Sequence, residues 1–196
     1  LKPTVLNLSA DFEDILETFK NIPNYNVKFK LVRAKDYGVP QNRIRVIITG
    51  VRQDLVDTHE YLYPTPTHSK TGNQLPKWVS IETALKEVGE PDEKTNLFNH
   101  ICSKYKVTNR DFTGHRRTDP TKPSPTILAR GNGGGGVCAI QHPRHHRRLS
   151  VRESALIQTF PMEHEFVGAL MSMYRQVGNA VPVLFAQHLS CGFKTK

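Results

Sequence analysis

Apolar residues fall at helical spacing over residues 10–20. There Phe12, Ile15, Leu16 and Phe19 line one face of ADFEDILETFK, with Ser9 placed as an N-cap. After the turn NIPNYN the period changes to two. In VKFKLVRA, Val27, Phe29 and Leu31 alternate with Lys28, Lys30 and Val32, the pattern of a strand with one buried face. The polar link KDYGVPQN leads to RIRVIITGVR, whose VIIT centre reads as a second strand. Two strands joined by a loop of about eight residues predict an antiparallel pair at the edge of a sheet.

Between residues 53 and 145 the periodicity weakens, and prolines and glycines crowd into YPTPTHSKTG, RTDPTKPSPT and GNGGGG. SIETALKEVG at 80–89 is the one helix-like stretch. Trp78, Leu97, Phe98, Ile101, Tyr105, Phe112 and Ile127 are enough apolar anchors for a loop-rich insertion of short strands, as opposed to a linker. Helical pattern returns at residue 149. Ser150-Val-Arg-Glu153 is an S-x-x-E capping box, followed by Ala155, Leu156 and Phe160 on a helix that stops at Pro161. A last helix is predicted from Pro182, with Leu184, Phe185 and Leu189 facing inward. No internal repeat is apparent.

Composition narrows the class. Of 196 residues 37% are hydrophobic and 23% charged, enough for a packed core and too apolar for global disorder. No uninterrupted apolar run approaches the roughly 18–20 residues of a membrane span. The first residues show no basic segment followed by an apolar one, so no signal peptide is visible, and the start at Leu1 fits a fragment or a processed piece. Cys102, Cys138 and Cys191 are odd in number, scattered and outside any CxxC pair, which fits a reducing compartment. Lys and Arg total 27 against 18 acids, for a net charge of +9. That balance suits a polyanion such as nucleic acid, although an ordinary soluble protein can also be basic.

Four segments carry candidate chemistry. In Gly38-Val-Pro-Gln-Asn-Arg-Ile-Arg45, Arg43 and Arg45 lie two apart on an extended chain, so two guanidiniums share a face. They suit a phosphate or a base carbonyl, or else a solvated sheet edge. The run Gly131-Asn-Gly-Gly-Gly-Gly136 formally matches G-x-G-x-x-G, but VCAIQHP follows and supplies no helix N-terminus for a pyrophosphate. It reads as a surface loop or as bare backbone able to approach a groove. His142-Pro-Arg-His-His-Arg-Arg148 reads as a phosphate-facing patch or a solvated charge run. A metal site there, with Cys138 as fourth ligand, is disfavoured by the neighbouring arginines and by the lack of a zinc spacing pattern, so no metal is assigned. Gly178-Asn-Ala-Val-Pro182 reads as a turn entering a helix, whose first N–H groups could meet a small polar ligand.

The order of these segments is more telling than any one of them. GVPQNRIRVIITG, a Pro/Gly-rich stretch, HRRLSVRESALIQTFP and YRQVGNAVP together closely resemble the C-terminal half of DNA (cytosine-5) methyltransferases. Gln41, Arg43 and Arg45 match that family's QxRxR motif. Arg148, Leu149, Ser150, Arg152, Glu153, Gln158, Phe160 and Pro161 match its RxLTxREaxRxQxFP motif. Gly178, Asn179, Val181 and Pro182 match GNaVP. The resemblance implies the C-terminal portion of a Rossmann-like class I methyltransferase sheet, an edge hairpin plus returning helices, with a small mixed target-recognition domain. Residues 1–52 would be the tail of the catalytic domain, 53–145 the recognition domain, and 146–196 the helices returning to the catalytic domain.

The resemblance also implies a reaction. Cytosine flips out of double-stranded DNA, a cysteine thiolate attacks C6, and C5 takes a methyl group from S-adenosylmethionine. Arg45 would hold the flipped base through O2, with Arg43 supporting it, and Asn179, Ala180 and Val181 would line the cofactor's methionine end. The Gly131–Gly136 loop, with Gly133 and Gly134, would enter the major groove, and Thr126-Ile127 resembles the family's Thr-Leu pair. Gln41, Arg116, Arg117, Thr126, Arg130, Arg147 and Arg148 are candidate DNA contacts. The family's Pro-Cys nucleophile, Phe-x-Gly cofactor loop and Glu-Asn-Val segment have no match in the chain. The resemblance therefore predicts an N-terminal catalytic part, in the same chain or a separate subunit. It predicts cytoplasmic action in a bacterial or phage-infected cell, without a membrane. The alternative is a non-catalytic DNA-recognition subunit or an inactive remnant.

Overall fold

The computed structural model describes residues 10–91, 97–102, 118–129 and 140–196. By contact the chain divides into two units that interleave along the sequence. One gathers Leu1–Val32, Val46–Pro64 and Cys191–Lys196, and the other Arg33–Arg45 and Thr65–Ser190.

The first unit carries helix α1 (Ala10–Lys20), most of strands β1 (Tyr25–Arg33) and β2 (Ile44–Arg52), and the short strands β3 (His59–Tyr61) and β4 (Phe193–Thr195). β1 is hydrogen-bonded to β2, as the period-two pattern predicts. β3 pairs antiparallel with β4, setting Tyr61 opposite Phe193 with ring centroids 4.8 Å apart. The Tyr63 hydroxyl lies 3.0 Å from both the Lys28 and the Ile47 carbonyls, which ties the chain after β3 to both longer strands. The predicted apolar faces are only partly covered. Leu16 is buried, but Ile15, Phe19 and Phe29 are 40–49% exposed, and Phe12 touches Phe29 edge-on at 6.0 Å. Periodicity fixes which residues share a face; it does not supply the element that covers them. Ser9 lies outside the described residues.

The second unit holds the larger core. Helices α2 (Ile81–Leu85), α3 (Val151–Ile157) and α4 (Leu170–Asn179) pack around Ile81, Leu149, Val151, Ala155, Ile157 and Val177, all at 0–1% exposure. The predicted capping box forms. Ser150 Oγ accepts from the Glu153 N–H at 3.0 Å, and Glu153 Oε2 accepts from the Ser150 N–H at 2.7 Å. Ser80 likewise caps α2, which is shorter than the 80–89 reading.

α4 corrects the reading of residues 178–182 as a turn: Gly178 and Asn179 are its last two residues, and Ala180, its C-cap, is extended. Its signal was present in Leu170, Met173, Tyr174 and Val177, spaced i, i+3, i+4 and i+7, but no capping side chain announces its start. Helix α5 (Val183–Ser190) begins one residue after Pro182, whose carbonyl accepts from the Ala186 N–H at 2.9 Å. Phe185 is fully buried against Tyr37, centroids 5.6 Å apart, while Leu184 and Leu189 are half-buried. The free N–H groups of α5 are met by the end of α3. The Val183 N–H donates to the Gln158 carbonyl at 3.0 Å and the Leu184 N–H to Thr159 Oγ1 at 2.9 Å. Thr159 holds φ = 58°, a conformation costly for a β-branched residue, which this capping helps to maintain.

Candidate functional site

Four motif segments that lie up to 140 residues apart meet at one pair of buried glutamines. Gly38, at φ = 81°, ends the 3-10 turn Ala34–Tyr37, and Pro40–Asn42 then run beside Ser124, with the Asn42 N–H donating to the Ser124 carbonyl at 2.7 Å. This sends the Gln41 side chain inward to 0% exposure. Its Oε1 accepts from the Ile127 N–H at 3.1 Å, and its Nε2 donates to Gln158 Oε1 at 2.8 Å. Gln158, also wholly buried, donates in turn to the carbonyls of Val177 at 2.7 Å and Ala180 at 3.3 Å. The end of α4 is pressed so close to residues 128–129 that a Cβ on Gly178 would lie 2.4 Å from the Ala129 nitrogen. Only glycine allows that approach.

Around this hub the predicted site residues divide. Arg43 is 7% exposed and donates to the Ile127 carbonyl at 3.2 Å, whereas Arg45 is exposed and donates to its neighbour's carbonyl, that of Ile44, at 2.6 Å. Burial, and secondarily the adjacent Arg45 charge, push the Arg43 guanidinium down to about 10. The two arginines were expected on one face, yet they differ in burial because β2 begins only at Ile44. Asn179 and Val181 are exposed, Val181 by 54%, and Ala180 between them is half-buried. Thr126 Oγ1 donates to the Asn42 carbonyl at 2.9 Å.

Three expected DNA contacts, Gln41, Arg147 and Arg148, are enclosed by other groups of the protein. Gln41 is sealed in the hub and positions the motifs from inside. Arg147 forms paired hydrogen bonds at 2.8–2.9 Å with both Glu90 and Glu153, the latter 1% exposed. Burial alone would lower its pKa, but the two carboxylates carry it above the ordinary arginine range. Arg148 is 6% exposed and lies over the Tyr174 ring, 3.6 Å from its centroid. The rest of the basic patch is also engaged. Arg144 pairs with Glu82, His145 Nε2 lies 3.1 Å from Glu90, and burial pushes the His142 imidazole down. A run of arginines and histidines in sequence cannot reveal that Glu82, Glu90 and Glu153 converge on it. Arg116, Arg117, Arg130, Gly133, Gly134 and Cys138 lie outside the described residues.

Three structural residues had no assigned role in the sequence reading. Arg152, with no exposure at all, donates to the carbonyls of Phe98 (2.8 Å), Pro161 (3.1 Å) and His164 (2.5 Å). Asn99, at φ = 59°, exchanges two hydrogen bonds with the Phe166 backbone, and buried His100 bridges Ser150 Oγ and the Gly89 carbonyl. Only Arg152, on a motif, carried a sequence signal. Among the described residues no helix is long and apolar enough to cross a membrane.

Residues 5–192 match the family model of the C-5 cytosine-specific DNA methylase. The chain is 34% identical over 193 residues to the type II methyltransferase M.BsuRI of Bacillus subtilis, covering 88% of this chain and 43% of the relative. It is 35% identical to M.BspRI of Lysinibacillus sphaericus (90% and 45%) and 32% identical to M.MthTI of Methanothermobacter thermautotrophicus (92% and 59%). The chain thus spans about half the length of the curated relatives it matches. Among solved structures, a prophage-encoded DNA modification methyltransferase from E. coli superposes with a TM-score of 0.66, at 17% identity, over 94% of this chain and 65% of that one. The S. pombe Dnmt2 methyltransferase gives 0.57 over 93% and 62%, also at 17% identity. At that identity the likeness establishes the fold alone, the α/β methyltransferase fold expected from the sequence.

Proposed function

The chain belongs to the C-5 cytosine-specific DNA methylase family, and on that premise we propose that it is the C-terminal portion of a DNA (cytosine-5) methyltransferase. The whole enzyme flips a cytosine from a specific duplex sequence and methylates its C5, using a cysteine supplied by a part outside these 196 residues, in the same chain or a separate subunit. Residues 1–52 complete the catalytic domain, 53–145 recognise the target and 146–196 return to the catalytic domain. Acting on bacterial or phage DNA, the enzyme works in the cytoplasm.

The observation that carries this reading is the Gln41–Gln158 hub. It ties the segment bearing Arg45 to Ile127 on one side and to the C-terminal end of α4, Val177–Ala180, on the other. A base-holding group, a recognition segment and a cofactor-lining helix end must keep fixed separations, and a buried amide relay with its polar atoms satisfied supplies that rigidity. Arg45 holds the flipped base through O2, a role that suits an exposed guanidinium whose bond to the Ile44 carbonyl is local. Arg43 supports the strand entry from inside, through Ile127. Thr126, by its bond to Asn42, holds the recognition segment beside the QNRIR loop, and Arg116, Arg117, Arg130, Gly133 and Gly134 are assigned to DNA.

Asn179, Ala180 and Val181 suit S-adenosylmethionine. An exposed amide offers donors and an acceptor to a charged amino-acid end, and the exposed Val181 methyls offer an apolar contact. When bound, the cofactor supplies an activated methyl group; the residues of this chain bind and orient it.

The test uses the complete enzyme with duplexes containing 5-fluorocytosine. The expected result is a covalent complex at one sequence, and an Arg45→Ala enzyme that loses turnover far more than duplex affinity. Equal loss of both overturns the base-holding role. Failure to trap any site, with no Pro-Cys in the full reading frame or a partner, overturns the enzymatic reading.

A further inference from the structure

In the His142–Arg148 run, Arg144 and Arg147 are paired with carboxylates and Arg148 is buried, so little of the positive charge there is free to meet a polyanion. A second concentration of cations lies around the 3-10 turn Ala34–Tyr37, just ahead of the QxRxR segment. Arg33 and Lys35 flank the first residue of that turn, and Lys70 and Lys77 stand on the loop 69–78 that packs against it. On the DNA-methylating reading given above, we propose that Arg33, Lys35, Lys70 and Lys77 form a phosphate-binding surface that grips the duplex backbone flanking the base held by Arg45, whatever its sequence.

The loop is fastened to the turn at several points. The Thr67 and His68 N–H groups both donate to the Asp36 carbonyl, at 2.8 and 2.9 Å. The Ser69 N–H donates to the Pro76 carbonyl at 2.8 Å and the Trp78 N–H to the Ser69 carbonyl at 2.9 Å. These bonds close residues 69–78 on themselves, so Lys70 and Lys77 leave from the two arms at its base. Trp78 then ties the loop to the turn through its side chain. Its Nε1 donates to Asp36 Oδ1 at 2.9 Å, and the Lys35 ammonium lies over the indole, 3.7 Å from the ring centroid. The turn is joined to the QxRxR segment as well, because the Ala34 N–H donates to the Arg43 carbonyl at 2.8 Å. A preformed base of this kind reduces the ordering cost of binding, and contacts to phosphate fix register on a duplex while base contacts read it.

This surface differs from the His142–Arg148 run in its shortage of acids. Residues 67–78 contain no Asp or Glu. Among the described residues the ion pairs involve other cations, and Asp36 is the one carboxylate acting on Lys35. Burial pushes the Lys35 ammonium down, Asp36 draws it up, and the Arg33 and Lys70 charges push it down again. Arg33, Lys70 and Lys77 are exposed. Phosphate oxygens set among these cations relieve their mutual repulsion, and each cation that neutralises a phosphate releases condensed counterions. An acidic protein would relieve the repulsion too. The bond from Ala34 to Arg43 favours DNA, because it sets the surface beside the segment assigned to the target base.

The test titrates the complete enzyme with two fluorescein-labelled duplexes, one carrying the trapped site and one unrelated, at increasing NaCl. The Lys70→Gln/Lys77→Gln enzyme should bind both more weakly, and the slope of log K against log salt should shrink by about two, or by about one in each single variant. Both side chains are exposed, so an unchanged urea midpoint is expected. Lys86→Gln removes another exposed cation, at the end of α2, and should keep the wild-type slope. An unchanged slope in the Lys70 and Lys77 variants overturns the proposal. So does an equal fall in Lys86→Gln, which would make the effect one of net charge, or a loss confined to the cognate duplex, which would place the loop in a groove. A complete enzyme without affinity for any duplex overturns the DNA-methylating reading as well, so the two failures are distinct.

Discussion

Gln41 donates to Gln158 at 2.8 Å across 117 residues of sequence, and neither side chain is exposed. Each amide also binds backbone of another segment, Gln41 at Ile127 and Gln158 at Val177 and Ala180. Removing either side chain strands buried polar groups on the others, at about 1–3 kcal/mol for each unsatisfied group. Gln41→Leu and Gln158→Leu should each lower unfolding free energy by about that amount. In urea titrations the double variant should lose less than the sum, by about 1 kcal/mol. Strict additivity would show that the two amides do not act together.

Gly178→Ala should destabilise the second unit through steric overlap, because the new Cβ meets backbone atoms of Leu128 and Ala129 at 2.4–2.6 Å. Helix propensity alone would make the change stabilising, so the sign is diagnostic. A loss of about 1–3 kcal/mol, read as a lower Tm or urea midpoint, is the expected cost of overpacking.

Arg147→Ala should behave as a core lesion and not as the loss of a phosphate contact. It leaves Glu153, 1% exposed, as a buried carboxylate without its cation, and breaking such a pair costs about 3–5 kcal/mol. The variant should unfold at lower temperature. Once folded, its DNA affinity should keep the wild-type salt dependence, measured as the slope of log K against log salt. A slope reduced by about one charge would return Arg147 to the DNA surface.

Asp119 sets the acid limit of the turn that caps α2. Hydrogen bonds from Lys122 and Thr121 hold its carboxyl down to about 2, and the carbonyls of Lys122 and Pro120 receive the Ile81 and Glu82 N–H groups. The folded-state pKa lies below the unfolded value of about 3.9. The stabilisation is therefore complete above about pH 4 and disappears as the pH falls through about 2. Carboxyl carbon NMR should find the Asp119 midpoint near pH 2. In Asp119→Asn, stability should become less dependent on pH across that window.

Much of the local structure was legible because its causes are local. The capping box at Ser150–Glu153, the alternation in β1 and the helical face of α1 each depend on residues a few positions apart. α4 was missed although its apolar spacing was present, because Gly178 and Asn179 read as a turn when taken without the preceding turns of helix. Sequence alone makes Gln41, at the head of the QxRxR segment, a candidate DNA contact. Its side chain points into the core, because Pro40–Asn42 pair with Ser124, a contact no local pattern encodes.

By itself the sequence determined the family, the order of its motifs, most helices and strands, and the basic balance of the chain, since all of these are properties of types and spacings along a line. The tertiary structure decided which cations remain available. Glu82 and Glu90 lie 62 and 57 residues from the arginines they pair with, and Glu153 lies six residues from Arg147 on α3; only folding brings these carboxylates onto Arg144 and Arg147. It also decided that Gln41 and Gln158 are one buried unit while Arg45 faces water. Burial and pairing are relations between distant residues, and they set both desolvation and charge, the quantities that separate a structural arginine from one free to bind DNA.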